Sequence, residues 1–211
     1  MSLTSLNLSL ASFGLAPNII QSIASAFGYL QNLVNLKLDL SGICTTDPDQ
    51  IQQFSSSLKT LKASLKFLDL NFSELSPISD PTLQNLAEAV RELALLKHLS
   101  LAFNRANGLT NRGLEAISLA IRDLSNLSDL ALSLSNNQEI NNLAPLSQAL
   151  RQIPSLYSVK FDFGRCLSLK YEGNGLKNLF NALREINNWR SSFEYLIFSR
   201  DCRRSLQVRA P

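Results

Sequence analysis

Apolar positions recur along this chain on two alternating periods. Leu3, Leu6, Leu8 and Leu10 stand in a Leu-x-x-Leu-x-Leu-x-Leu spacing that returns at Leu33, Leu36, Leu38 and Leu40. Further copies are Leu65, Leu68, Leu70, Phe72; Leu96, Leu99, Leu101, Phe103; Leu127, Leu130, Leu132, Leu134; and Leu156, Val159, Phe161, Phe163. A truncated seventh holds Phe193, Leu196 and Phe198. From one first anchor to the next the steps are 30, 32, 31, 31, 29 and 37 residues. Apolar residues at every second position mark a strand with one buried face, so seven strands are predicted.

Between the strands the apolar period changes to three and four. Ile20, Ile23, Phe27, Leu30 form one such set, followed by Ile51, Phe54, Leu58, Leu61 and by Leu83, Leu86, Val90, Leu93. Leu114, Ile117, Ile121, Leu124 continue it, then Leu143, Leu146, Leu150, Ile153 and Leu176, Leu179, Leu183, Ile186. This is the stripe of an amphipathic helix, and six helices are predicted. Asp47-Pro48 and Asp80-Pro81 read as an N-cap followed by proline at the first helical position. One strand and one helix cannot bury their apolar faces alone, so the units must stack on identical neighbours. Strands lie about 4.8 Å apart and packed helices roughly 8–10 Å apart, so the stack should bend into an open arc, strands on the concave side and helices on the convex side.

The spacing resembles the leucine-rich repeats, and a helix in every unit is similar to the ribonuclease-inhibitor-like class. The resemblance covers residues 3–198. It implies an α/β fold, a right-handed horseshoe solenoid of about seven parallel strands and six helices over residues 1–199, with 200–211 left as a basic tail. In that family the ninth position after the first anchor holds an asparagine that bonds backbone in the turn leaving the strand. Here it holds Ala11, Ser41, Ser73, Asn104, Ser135 and Gly164, and the eighth position is apolar, which extends the strand. An extra residue between Leu61 and Leu65, and about four more around Trp189, predict local distortion. The anchors start at Leu3 with no recognisable cap, leaving open self-association through the ends or a place in a longer array.

Composition supports a folded chain: 42 of 211 residues are leucine, and charged residues make up 18%. The net charge of +3 comes entirely from Arg200, Arg203, Arg204 and Arg209 against Asp201. The body lacks the basic stripe that would track a phosphate backbone, so no nucleic-acid partner is expected. No apolar run approaches the roughly 20 residues of a membrane span. Cys44, Cys166 and Cys202 are scattered, without metal-ligand or disulfide-framework spacing. A cytoplasmic protein without membrane association, metal or cofactor is the expectation.

No Walker loop, His-Glu-x-x-His or Gly-x-Ser-x-Gly occurs, and Gly173-Asn174-Gly175 reads as a turn before a helix. His98 is the sole histidine, with Asp69 and Asp129 as its expected neighbours across the strands. An enzyme is not indicated. The outward strand positions form three columns. The first runs Ser5, Asn35, Phe67, His98, Asp129, Ser158, Tyr195, and in it Phe67 beside His98, flanked by Asp69 and Asp129, is the expected partner-binding patch. Lys37 with Asp39, and Lys160 with Asp162, read as solvated pairs along one strand. The expected function is a non-catalytic scaffold binding a protein partner through the concave face. The resemblance also permits a regulator that stimulates a small GTPase, and the uncapped ends permit a self-associating array fragment.

Overall fold

The computed structural model describes residues 2–11, 18–43, 49–75, 78–106, 108–169, 174–185 and 196–197. The predicted features at Cys44, Asp47-Pro48, Gly173, Trp189, Phe193, Phe198, Cys202 and the basic tail 200–211 lie outside them. Strands β1 Ser5–Ser9, β2 Asn35–Asp39, β3 Phe67–Asn71, β4 His98–Ala102, β5 Asp129–Ser133 and β6 Ser158–Asp162 are each five residues long. Of the seventh predicted strand, the described residues are the pair Leu196–Ile197, β7. Helices α1 Ile19–Phe27, α2 Asp49–Leu58, α3 Asp80–Arg91, α4 Asn111–Arg122, α5 Ala144–Leu150 and α6 Asn174–Glu185 fall between them. A short 3-10 turn, Lys59–Leu61, follows α2, and the extra residue after it is accommodated by a wider turn in which Leu65 N–H donates to the Leu61 carbonyl, four residues back, at 3.0 Å.

All strands are parallel and lie side by side in chain order in one sheet. The register pairs like with like: Leu36 with Leu68, Leu68 with Leu99, Leu99 with Leu130. Each helix packs on the next along the chain. The even strand positions and the helix stripes close a single apolar core. Through it run Phe27, Phe54, Phe72 and Phe103, with successive ring centroids 5.4, 5.6 and 5.9 Å apart.

The apolar eighth position carries the ladder one step past each strand. Leu40, Phe72, Phe103 and Leu134 donate their N–H to Asn71, Ala102, Ser133 and Asp162 at 2.9, 2.8, 2.8 and 2.7 Å. The chain then turns through a residue of positive φ in every described unit from the second onward: Gly42, Glu74, Arg105, Asn136 and Arg165, at 68, 60, 54, 67 and 58°. Leu75 and Cys166 close their turns by donating back to Phe72 and Phe163, each at 3.2 Å, the i to i+3 bond of a type II turn. The left-handed residues continue the ladder, Glu74 N–H to Asn104 and Arg105 N–H to Ser135.

A bridge between units is made two positions beyond the ninth. Asn137 is buried and donates from Nδ2 to the carbonyls of Phe103 and Leu134, both at 2.8 Å, tying one unit to the previous one. Cys166 occupies the equivalent place in the next unit, its Sγ donating to the Leu134 carbonyl at 3.0 Å. Asn104 acts elsewhere, its Oδ1 accepting from the N–H and hydroxyl of Ser135 and from the Ser133 hydroxyl.

The helix starts correct one expectation. Ser79, not Asp80, is the N-cap of α3, its Oγ accepting from Thr82 N–H at 3.5 Å, and Pro81 stands at the second helical position, one place later than predicted. Asp80 serves the following helix, accepting from Thr110 N–H and Gly113 N–H at 3.1 Å each and from the Thr110 hydroxyl at 2.7 Å. A carboxylate placed there satisfies N–H groups that a helix leaves unpaired at its beginning.

Candidate functional site

Successive side chains of a strand point to opposite faces. With the leucines committed to the core, the alternate positions of β2 to β5 stand on the face away from the helices, exposed or half-buried. In a parallel sheet these positions align in rows across neighbouring strands. The first row brings Asn35, Phe67, His98, Asp129 and Ser158 side by side, and the second pairs Lys37 with Asp69 and Asp69 with Ser100.

Phe67 and His98 are stacked, with ring centroids 4.1 Å apart and planes only 4° from parallel. The strand separation of about 4.8 Å sets this distance, since flat rings at one register position can fill it only by lying face to face. The stack half-buries the imidazole. Burial lowers the pKa of His98, while the carboxylates of Asp129 and Asp69 oppose the shift and Lys37 adds to it. The neutral ring is therefore the form at neutral pH.

Asp129 lies in register with His98 on the neighbouring strand. Its Oδ2 accepts from the Ser128 hydroxyl at 3.0 Å. On its far side stands Tyr157, 59% exposed, whose phenol pKa is raised by its hydrogen bond to Asp129 and by that carboxylate's charge. The three outward columns leave Tyr157 out, because it falls one place before Ser158, at the start of β6. An exposed tyrosine in a column that also holds Thr4, Val34, Lys66, Lys97 and Ser128 was the available signal.

Asp69 is in the patch but engaged. Lys37 Nζ is 2.9 Å from its Oδ2, and Lys37 is held above the ordinary lysine pKa by that hydrogen bond and charge. The expected Lys37–Asp39 pairing along one strand is replaced by this pair across strands. Asp39 instead accepts from Ser41, at 3.1 Å from the N–H and 2.7 Å from the hydroxyl. Asn71 and Asp162 do likewise for the N–H groups of Ser73 and Gly164, at 3.0 and 2.8 Å. The third outward column is thus partly consumed in holding the turns.

Among the described residues, no group of three or more His, Cys, Asp or Glu side chains is placed to hold a metal ion. No described helix is long and apolar enough to cross a membrane. No protein-family model matches the chain, and no curated protein does. Function is therefore to be read from the geometry.

Proposed function

We propose that this chain is a leucine-rich-repeat solenoid of the ribonuclease-inhibitor-like class and that it acts as a non-catalytic module binding a protein partner through its concave strand face. The parallel strands in chain order, the unit-to-unit ladder through the turns and the backbone bridges of Asn137 and Cys166 support the repeat reading. One observation carries the functional reading: the Phe67–His98 stack is held on a hydrogen-bonded sheet with Asp69, Asp129 and Tyr157 around it. A preordered aromatic surface loses little side-chain entropy on binding, and its charged rim gives orientation. Among the described residues no hydroxyl or thiol hydrogen-bonds to His98, which favours a contact surface over an acid–base site. A cytoplasmic setting suits Cys166, a buried free thiol whose raised pKa keeps it protonated.

The test is affinity capture from a cell lysate by the wild type and by the Phe67→Ala, His98→Ala double variant, with each captured protein then purified and titrated calorimetrically. A partner that binds the wild type at least about tenfold tighter than a folded variant supports the module. Equal affinities would dismiss the concave face as its site.

A further inference from the structure

The charges around the aromatic stack are not balanced. Asp69 is paired with Lys37, whereas among the described residues Asp129 has no lysine or arginine within ion-pair distance. Its neighbours are neutral: Ser128, whose hydroxyl donates to it at 3.0 Å, and Tyr157. A carboxylate offers roughly four lone-pair positions, so these neighbours leave it able to accept more, and they leave its charge uncompensated. Lys66 and Lys97 are exposed at the beginnings of β3 and β4, but the charges that bear on the His98 ring are those of Asp129, Asp69 and Lys37. Two carboxylates and one ammonium thus act on the ring, and the balance of charge around the stack is negative.

Resting on the concave-face reading above, we infer that the Phe67–His98 stack, Tyr157 and Asp129 form a receptor for an arginine side chain presented by the protein partner. A guanidinium is the cation that fits both halves of this corner. Its plane lies against aromatic faces, whose quadrupole is negative, while its edge donates two parallel hydrogen bonds to one carboxylate. The neutral imidazole offers such a face, whereas an imidazolium would repel the guest. A phosphate or an acidic peptide would meet the Asp129 charge directly and is disfavoured. Tyr157, more than half exposed and close enough to the Asp129 carboxylate for its phenol pKa to be raised, bounds the corner on the β6 side. The aromatic platform and the acid are supplied by three consecutive strands, so the receptor exists only once the units have stacked.

The single histidine provides the readout, because its ring C–H resonances in the proton spectrum belong to His98 alone. Ac-Ala-Arg-Arg-Ala-amide is titrated into the full chain alongside the same peptide with citrulline in place of arginine, which keeps the shape and removes the charge. The arginine peptide should shift the His98 resonances saturably and the citrulline peptide should bind at least about fivefold more weakly. Asp129→Asn, which retains an acceptor for Tyr157, should weaken the arginine peptide by about tenfold, and Phe67→Leu by about fivefold. Two variants are used so that a folding defect in one leaves the other to decide. The receptor is overturned if the arginine peptide gives no saturable shift, if citrulline binds as well, or if both folded variants bind like the wild type. Should that happen while the Phe67→Ala, His98→Ala pair still loses its captured partner, the concave face stands and only the arginine receptor falls. If the captured partner also binds that pair unchanged, both readings fall together.

Discussion

His98 is half-buried against the face of Phe67, so folding disfavours its imidazolium. The folded pKa lies below the ordinary histidine value of 6.5, and the unfolded chain therefore takes up the proton first as pH falls. The stabilisation tied to the neutral ring is complete above the unfolded value and is lost as pH falls through it towards the folded one. Asp129 and Asp69 limit the shift and Lys37 adds to it, so the effect is modest. Urea midpoints measured between about pH 7.5 and about pH 5.5 should fall further for the wild type than for His98→Gln. Identical pH dependence in the two proteins would show that His98 contributes nothing to it. At this scale the sequence reveals Phe67 and His98 as neighbours, because strand register follows from anchor spacing. It conceals the partner of Lys37 and the turn-holding role of Asp39, since a lysine two residues from one aspartate and one strand from another has no local preference that decides between them.

Helices α1 to α5 carry a small residue four places after their first buried anchor, Ala24, Ser55, Ala87, Ser118 and Ser147, all buried, whereas α6 has Phe180 there. The three serines satisfy their hydroxyls within their own helix, donating to Ile51, Leu114 and Leu143 at 2.7, 2.7 and 2.9 Å. Such a bond adds little, because the carbonyl already serves the helix ladder. The position is therefore constrained by size. Ser118→Ala should change stability by no more than about 1 kcal/mol, whereas Ser118→Leu should lose about 1–3 kcal/mol by overpacking. Denaturant unfolding compares them directly, and a tolerated leucine would mean that α4 has room on that side. The helix stripes were legible from leucine spacing alone. The caps were not: Asp80 looks like its own helix's N-cap, and only the neighbouring unit shows that it begins α3 and caps α4.

Across the whole molecule, stability is passed from each unit to the next. Leu36, Leu38 and Leu40 of the second unit are 0, 1 and 0% exposed, while Leu6, Leu8 and Leu10 of the first are only half-buried. Leu10 and Phe103 donate nearly identical ladder bonds, 2.7 Å to Asp39 and 2.8 Å to Ser133, and differ in what packs around them. Local opening should follow that packing, so the Phe103 amide is expected to exchange with deuterium at least about tenfold more slowly than the Leu10 amide. Equal protection factors, read by NMR, would instead describe a chain that opens only as a whole.

The leucine spacing by itself determined the kinds of element, their order, and the parallel pairing that sets Phe67 beside His98 and Asp129. That information is legible because apolar periodicity is local and a repeat copies it faithfully enough to read. Tertiary structure alone decided the cross-strand pair of Lys37 with Asp69, the addition of Tyr157 to the patch, the transfer of Asp80 to the next helix and the bridges between units made by Asn137 and Cys166. Each of these joins residues about one unit apart in the chain. A polar side chain can hydrogen-bond in many settings, so its partner is settled by which backbone and which charge the stacking of units brings within reach.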